Sequence, residues 1–263
     1  MLSRGFYLWR LCWTAIAFAL LGLGGFVLAI AVIPLATLSI RDEQARSRRA
    51  QAVIRASLRL YLAILRALGV LKLETVGGEK LSACRGSLIV ANHPTLIDIV
   101  LLMAMVPEAK CIVKPELFRN PLLREAVRAA GYIRNDDEPE VLIEKCREIL
   151  VAGSNLIVFP EGTRSVPGQS IHFQRGFAHI ATLTGATLLP VTITCEPVTL
   201  IKGEPFYKIP RSRPNFRLEV AEEIDPGRFL GTQSRARSAR SLVAYLQADY
   251  CARLVSGARL NHG

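Results

Sequence analysis

The sequence predicts an α/β protein, a mostly parallel or mixed central sheet flanked by helices, preceded by an N-terminal membrane helix or re-entrant hairpin. Three observations predict it. From Leu11 to Ile40 no residue is charged. Beyond residue 85, short apolar runs bounded by turn residues alternate with helix-spaced stretches, the pattern of βαβ units. And 51% of the 263 residues are hydrophobic, with no low-complexity tract, which supplies a large core and excludes a disordered or collagen-like chain.

The uncharged run comes first. Its 30 residues exceed the ~20 that cross the apolar slab as a helix, and the ~7–15 of a signal-peptide core. Two geometries fit it: one long tilted helix ending near Pro34, or a short hairpin broken at Gly22, Gly24 and Gly25. Arg41, Arg46, Arg48 and Arg49 follow and outnumber Arg4 and Arg10 before it, so the main body is expected on the cytoplasmic side. Residues 53–73 then carry Leu58, Tyr61, Leu62, Leu65 and Leu68 on one helical face. That face lies either in the bilayer interface or on the domain core.

The Gly77–Gly78 pair and the segment to Arg85 read as a turn-rich lead-in. Residues 87–93, SLIVANH, form a buried strand that releases Asn92 and His93 into a loop, and Pro94–Thr95 starts a helix carrying Asp98. Lys110–Lys114 is a second strand, Pro121–Ala130 a helix, and Tyr132–Ile133 a brief strand. A helix over 138–151, a strand at Asn155–Phe159, a helix at Phe173–Leu183 and a strand at Thr187–Ile193 continue the alternation. Phe216–Val220 is an edge or inner strand, and a basic helix over 233–256 ends the chain.

Two local patterns carry chemistry. In ANHPTLIDIV, Asp98 follows His93 by five residues across a strand-to-helix corner. The carboxylate can hold one imidazole nitrogen while the other takes a proton from an alcohol. On spacing alone, a satisfied loop pair fits as well as a catalytic one. In FPEGTRS, residues 159–165, a strand ends in a Pro–Gly turn that presents Glu161, Thr163 and Arg164 together. A guanidinium and turn donors suit a phosphate. Glu161 would repel one and so is expected to orient Arg164 or another donor. A salt-bridged turn accounts for the residues equally.

Other chemistries lack their residues. The cysteines at 12, 84, 111, 146, 195 and 251 form no CxxC pair, so no metal site or disulfide framework is expected. No P-loop and no GxSxG elbow occurs. The net charge of +11 raises nucleic-acid binding, but the basic runs flank a membrane-length segment without aromatic interleaving, so no nucleic acid is expected. His172 and His179 are expected in structural or solvent roles.

Taken together, NHPTLID and FPEGTRS resemble the signatures of the glycerolipid acyltransferase family, whose best-known members act on 1-acyl-glycerol-3-phosphate. The resemblance spans about residues 70–220. It implies that His93 and Asp98 are the catalytic pair and that Glu161, Gly162, Thr163 and Arg164 bind the acceptor phosphate. It also matches Leu189, Pro190 and Val191 to an apolar-Pro-apolar block. GYIRNDD supplies Gly131 and, offset from the family position, Arg134 as a further phosphate-binding candidate. Asn92, Pro160 and Pro190 are expected to shape the site.

The implied reaction is direct transfer of a fatty acyl group from a thioester to a lysophospholipid hydroxyl, most naturally 1-acyl-glycerol-3-phosphate. A nonstandard lyso-lipid or secondary-metabolite acceptor, or a non-catalytic lipid-binding protein, are the alternatives. No bound cofactor is expected; acyl-coenzyme A or acyl-acyl-carrier-protein is the donor substrate. Arg211, Arg213 and Arg217, or the basic tail from Arg235 to Arg259, offer a surface to an acidic carrier. Expected partners are membrane lipids, the lysolipid and an acyl carrier protein, at the inner membrane with the catalytic domain facing the cytoplasm. The expected organisation is an anchor with basic juxtamembrane segment over 1–50, an interfacial helix over 51–75, an acyltransferase-like domain over 76–225 and a basic tail over 226–263.

Overall fold

The computed structural model describes residues 4–121, 124–166, 169–230 and 234–260, with side chains through residue 255. All but the last three residues of the uncharged run lie in one continuous helix from Arg4 to Thr37. It comprises α1 (Arg4–Val27), a wide π turn (Leu28–Val32) and α2 (Ile33–Thr37). Gly22, Gly24 and Gly25 lie within α1, so the hairpin broken at these glycines is not what forms. The irregularity falls at the proline instead. Pro34 has no N–H and crowds the preceding turn, and Ile33 N–H reaches back five residues to Leu28 O.

The chain turns at residues 38–42 and returns as α3 (Glu43–Ala67), capped by Asp42, whose carboxylate accepts from Ala45 N–H at 2.6 Å. Helix α3 begins ten residues earlier than the apolar spacing indicated and stops earlier too. Gly69 (φ +73°) takes the left-handed position after it. Val70 N–H bonds Leu65 O at 2.9 Å and Gly69 N–H bonds Arg66 O at 3.1 Å, a Schellman ending. The residues beyond are therefore free to form a strand, β1 (Lys72–Val76), where the periodicity had extended a helix to residue 73.

The remaining elements are α4 (Gly78–Ala83), β2 (Leu88–Ala91), α5 (Asp98–Met105), β3 (Ala109–Val113), α6 (Pro115–Arg119), α7 (Arg124–Ala129) and β4 (Ile133–Arg134). They continue through α8 (Pro139–Val151), β5 (Asn155–Val158), α9 (Gly176–Thr184), β6 (Leu188–Glu196), β7 (Asn215–Val220) and α10 (Arg235–Leu260). The lead-in to Arg85 is thus partly helical, as α4. The helix expected from Pro94 starts only at Asp98, and α6 is additional. Positions 122, 123 and 233 of two expected helices lie outside the described residues.

The seven strands form one sheet in the order β1-β7-β6-β2-β5-β3-β4, parallel except where β6 meets β7. Strand β7 is an inner strand, antiparallel to β6 and parallel to β1. The two-residue period sends neighbours to opposite faces. Ile89 and Ala91 join a core with Leu62, Leu65, Leu101 and Leu102 of α3 and α5, whereas Leu88 and Val90 join Phe177, Ile180, Leu242 and Leu246 of α9 and α10. Both faces of β2 are covered, hence its unbroken apolar run. Of the helical face of α3, Leu62 and Leu65 are buried in this core while Leu60 on another side is 64% exposed.

Candidate active site

Parallel strands β2, β5, β3 and β4 end on one edge of the sheet, so the loops that follow them converge there, the usual ligand-binding edge of such sheets. His93 leaves β2 and Phe159–Ser165 leaves β5, its immediate neighbour. Asp98 is the first residue of α5 and fully buried.

The five-residue spacing does bring the pair together. His93 Nδ1 lies 2.8 Å from Asp98 Oδ2. The intervening chain is a tight turn, not a helix, and Asp98 closes it: Thr95 donates its N–H to Oδ2 at 2.6 Å and its hydroxyl to Oδ1 at 2.5 Å. Burial pushes the Asp98 carboxyl above its ordinary range, and the bonds from His93 and Thr95 oppose that shift. The imidazole stacks on Phe159, with ring centroids 4.2 Å apart and planes 21° apart. With Nδ1 held by Asp98, Nε2 is the nitrogen left for an acceptor.

Glu161 clasps the two loops to each other. Its Oε1 accepts from His93 N–H at 2.8 Å and from the Ser165 hydroxyl at 2.9 Å, while Ser165 N–H donates to His93 O at 2.7 Å. Gly162 permits this turn: its φ is +67°, and a Cβ there would lie 2.5 Å from Gln174 Nε2. Pro160 is buried, its carbonyl accepting from Gln174 N–H. Thr163 is exposed. Arg164 turns toward the loop after β6, where Nη1 donates to Leu200 O at 3.1 Å and Ile201 O at 3.0 Å. Leu96 N–H shares the Leu200 carbonyl, so Arg164 also braces the turn that carries Asp98.

Asn92 and Pro190 belong to the frame under His93. The Asn92 amide continues the β2–β6 ladder past the strand end, donating to Ile193 O at 2.8 Å and accepting from Ile193 N–H at 2.7 Å. Pro190 pairs with Val90 in register and has no N–H to give. Its peptide edge faces β7, where its carbonyl accepts from Ala221 N–H; on the β2 side the Tyr250 hydroxyl, delivered by α10, stands between Val90 O and Val191 N–H. It donates to Val90 O at 2.5 Å and accepts from Val191 N–H at 2.9 Å. Tyr250, one of two tyrosines in a basic helix, gave no sign of this role in the sequence.

His93 opens on a cleft of about 430 Å³ whose walls include Ile112, Leu142, Phe159, Phe177 and Ile180. Among the described residues lining it, Lys114 at the end of β3 is the single lysine or arginine. Lys114 was not singled out from the sequence, although a cation closing a predicted strand was the available signal. His179 and Asn135 also line this cleft. Arg134 stands outside it, on edge strand β4, in a bidentate pair with Asp136 at 2.9 and 2.5 Å and with its Cζ 5.8 Å from the Phe118 ring centre. Of the arginines considered for a carrier surface, Arg213 donates to the Arg66 and Leu71 carbonyls and Arg217 lies between Glu74 and Glu219.

Comparison with known proteins adds the following. The family model described as Acyltransferase matches residues 72–194. A 1-acyl-sn-glycerol-3-phosphate acyltransferase from Cocos nucifera is 35% identical over 126 residues, 46% of this chain and 41% of that protein. The alpha form of this enzyme from Homo sapiens is 26% identical over 177 residues, 65% of this chain and 60% of that protein. The match thus spans less than two thirds of these curated relatives. The crystal structure of the 1-acyl-sn-glycerophosphate (LPA) acyltransferase PlsC from Thermotoga maritima shares the fold, with a TM-score of 0.68 at 22% identity over 93% of this chain and 94% of that one.

Proposed function

Residues 72–194 match the acyltransferase family model, and we propose that this chain is an acyltransferase that moves a fatty acyl group from a thioester to the free hydroxyl of a lysophospholipid, 1-acyl-glycerol-3-phosphate. The observation that carries this reading is the 2.8 Å His93–Asp98 bond at an apolar cleft that also holds Lys114.

His93 Nε2 takes the hydroxyl proton as the acceptor oxygen attacks the thioester carbonyl. The C–O bond forms, the C–S bond breaks, and the imidazolium returns the proton to the departing thiolate, leaving ester and free thiol. Asp98 keeps the proton on Nδ1 and stabilises the imidazolium, which the Thr95 donors help by favouring the carboxylate. Stacking on Phe159 fixes the ring plane, and Glu161 fixes the backbone from which the ring projects. The apolar walls suit an acyl chain. Lys114 is the group we assign to the acceptor phosphate. Arg164 and Glu161 act by holding the loops, and Arg134, held by Asp136, is not needed.

The helix Arg4–Thr37 supplies the membrane contact. At ~1.5 Å per residue it is about 51 Å long, against ~30 Å of hydrocarbon. Its outward side exposes Ile16, Leu20, Leu23, Val27, Ile30 and Leu35. Near one end Trp9 donates to Leu68 O; near the other the π turn packs on α7. A helix with both ends on one water-facing domain does not put them on opposite sides of a bilayer. We assign it to one leaflet, lying along the domain, with Arg41, Arg46, Arg48 and Arg49 at the cytoplasmic headgroups of the inner membrane.

The test is an acceptor screen of the purified full chain in vesicles with lysophospholipids of different headgroup, supplied with acyl-coenzyme A or acyl-acyl-carrier-protein and read by product mass. A diacyl product from 1-acyl-glycerol-3-phosphate with either donor is expected. No acylated product from any acceptor would overturn the proposal; turnover of another lysolipid alone would reassign the acceptor.

A further inference from the structure

Arg10 precedes the uncharged run, and acyl transfer makes no use of it. In the folded chain it is only 1% exposed. Its Nη2 donates to Pro210 O, and its Cζ lies 5.9 Å from the Phe6 ring centre. Nε and Nη1 are buried and have no hydrogen-bond partner. Among the described residues no carboxylate pairs with it. A guanidinium withdrawn from water without a counter-charge is strongly unfavourable, so a fold that keeps one has a use for an anion there.

Arg10 lines a cavity of about 40 Å³ between α1, α3 and the loop after β6. At ~10–15 Å³ per water-sized probe, that is room for three or four oxygens. Thr14, one turn further along α1, and Thr199 add hydroxyls to a wall that is otherwise mostly apolar. The geometry points to a second anion site: the Arg10 guanidinium, which lines this cavity between the apolar helix and the domain and holds two unpartnered donors, turns toward the cavity to bind a phosphate group. A planar fork of donors matches phosphate oxygens, and the apolar surroundings strengthen the attraction. The phosphate belongs to a lipid headgroup or to free phosphate, which present the same chemistry. Thr199, Leu200 and Ile97 line this cavity, and Leu200 O is the carbonyl shared by Arg164 and Leu96. An occupant there would buttress the turn that carries Asp98.

The two tryptophans of the chain, Trp9 and Trp13, flank Arg10 and meet edge to face at 5.4 Å, so intrinsic fluorescence reports on this site. The full chain in nonionic detergent micelles would be titrated with inorganic phosphate and with dihexanoyl phosphatidylglycerol, against sodium chloride of equal ionic strength. A saturable change with at least one probe is expected. Arg10→Gln should need at least tenfold more probe and Arg10→Lys an intermediate amount. Saturation by the lipid alone identifies a headgroup, and saturation by both, in competition, a general phosphate site. The proposal is overturned if neither probe exceeds the salt control in the wild type, or if both variants titrate like it. Should Arg10→Gln not fold, the wild type and Arg10→Lys still decide. No readout involves acyl transfer, so failure here leaves the proposed reaction standing, and the reverse.

Discussion

Tyr250→Phe removes one oxygen and keeps the ring against Phe173, whose centroid lies 5.1 Å away. What it takes away is the bridge between strands β2 and β6, leaving Val90 O and Val191 N–H without the hydroxyl that joins them. Both residues are fully buried, so water does not reach them. An orphaned buried group costs about 1–3 kcal/mol, so two cost about 2–6 kcal/mol. Local relaxation favours the lower half, and we expect about 3 kcal/mol. For a chain of this size that lowers the unfolding midpoint by roughly 6–12 °C. Thermal unfolding in detergent, followed by circular dichroism, measures it. A midpoint within about 2 °C of the wild type would refute the reasoning, because Val191 N–H would then meet Val90 O directly, without the tyrosine.

Lys114→Ala should lower kcat/KM for a phosphorylated acceptor by roughly 10–100-fold, the value of a charge-assisted bond, and leave a phosphate-free 1-acylglycerol unaffected; equal losses on both would remove the lysine from phosphate binding. The pH profile should fall on its acid side. Burial holds the Asp98 carboxyl above its ordinary range, so as pH drops it is protonated earlier than an exposed carboxylate and stops supporting the imidazolium. An acid limb unchanged in Asp98→Asn would assign that titration elsewhere. A water-soluble maleimide should label Cys251 in vesicles and both Cys251 and Cys12 in detergent, since both are exposed on the chain but Cys12 lies on the apolar helix. Cys111, Cys146 and Cys195, pushed up to about 12 by burial, should stay unlabelled while the protein is folded. Rapid labelling of Cys12 in vesicles would place that helix outside the lipid.

The α/β class and most strands were readable because their signals are local. LIVA and the LIV of Leu156–Val158 are unbroken apolar runs that suit a sheet covered on both faces. The His93–Asp98 spacing and the FPEGTRS turn likewise lie within single loops. What escaped depends on contacts between distant segments. Strand β1 is polar and mostly exposed, and it is a strand because β7, some 140 residues later, offers it a parallel partner. Glu161 read as a companion of Arg164, yet its oxygen meets a backbone N–H 68 positions away. Tyr250 reaches Val90 across 160 positions. Arg10 read as a flanking charge because its burial against Pro210 requires the folded loop after β6.

The most direct measurement compares acyl-ester formation on 1-acyl-glycerol-3-phosphate by the wild type and by His93→Ala, at equal amounts of membrane-bound, folded protein. Loss of a positioned general base should slow the reaction by roughly 10²–10⁴-fold with vesicle binding unchanged. Equal rates in the two proteins would contradict catalysis by the His93–Asp98 pair.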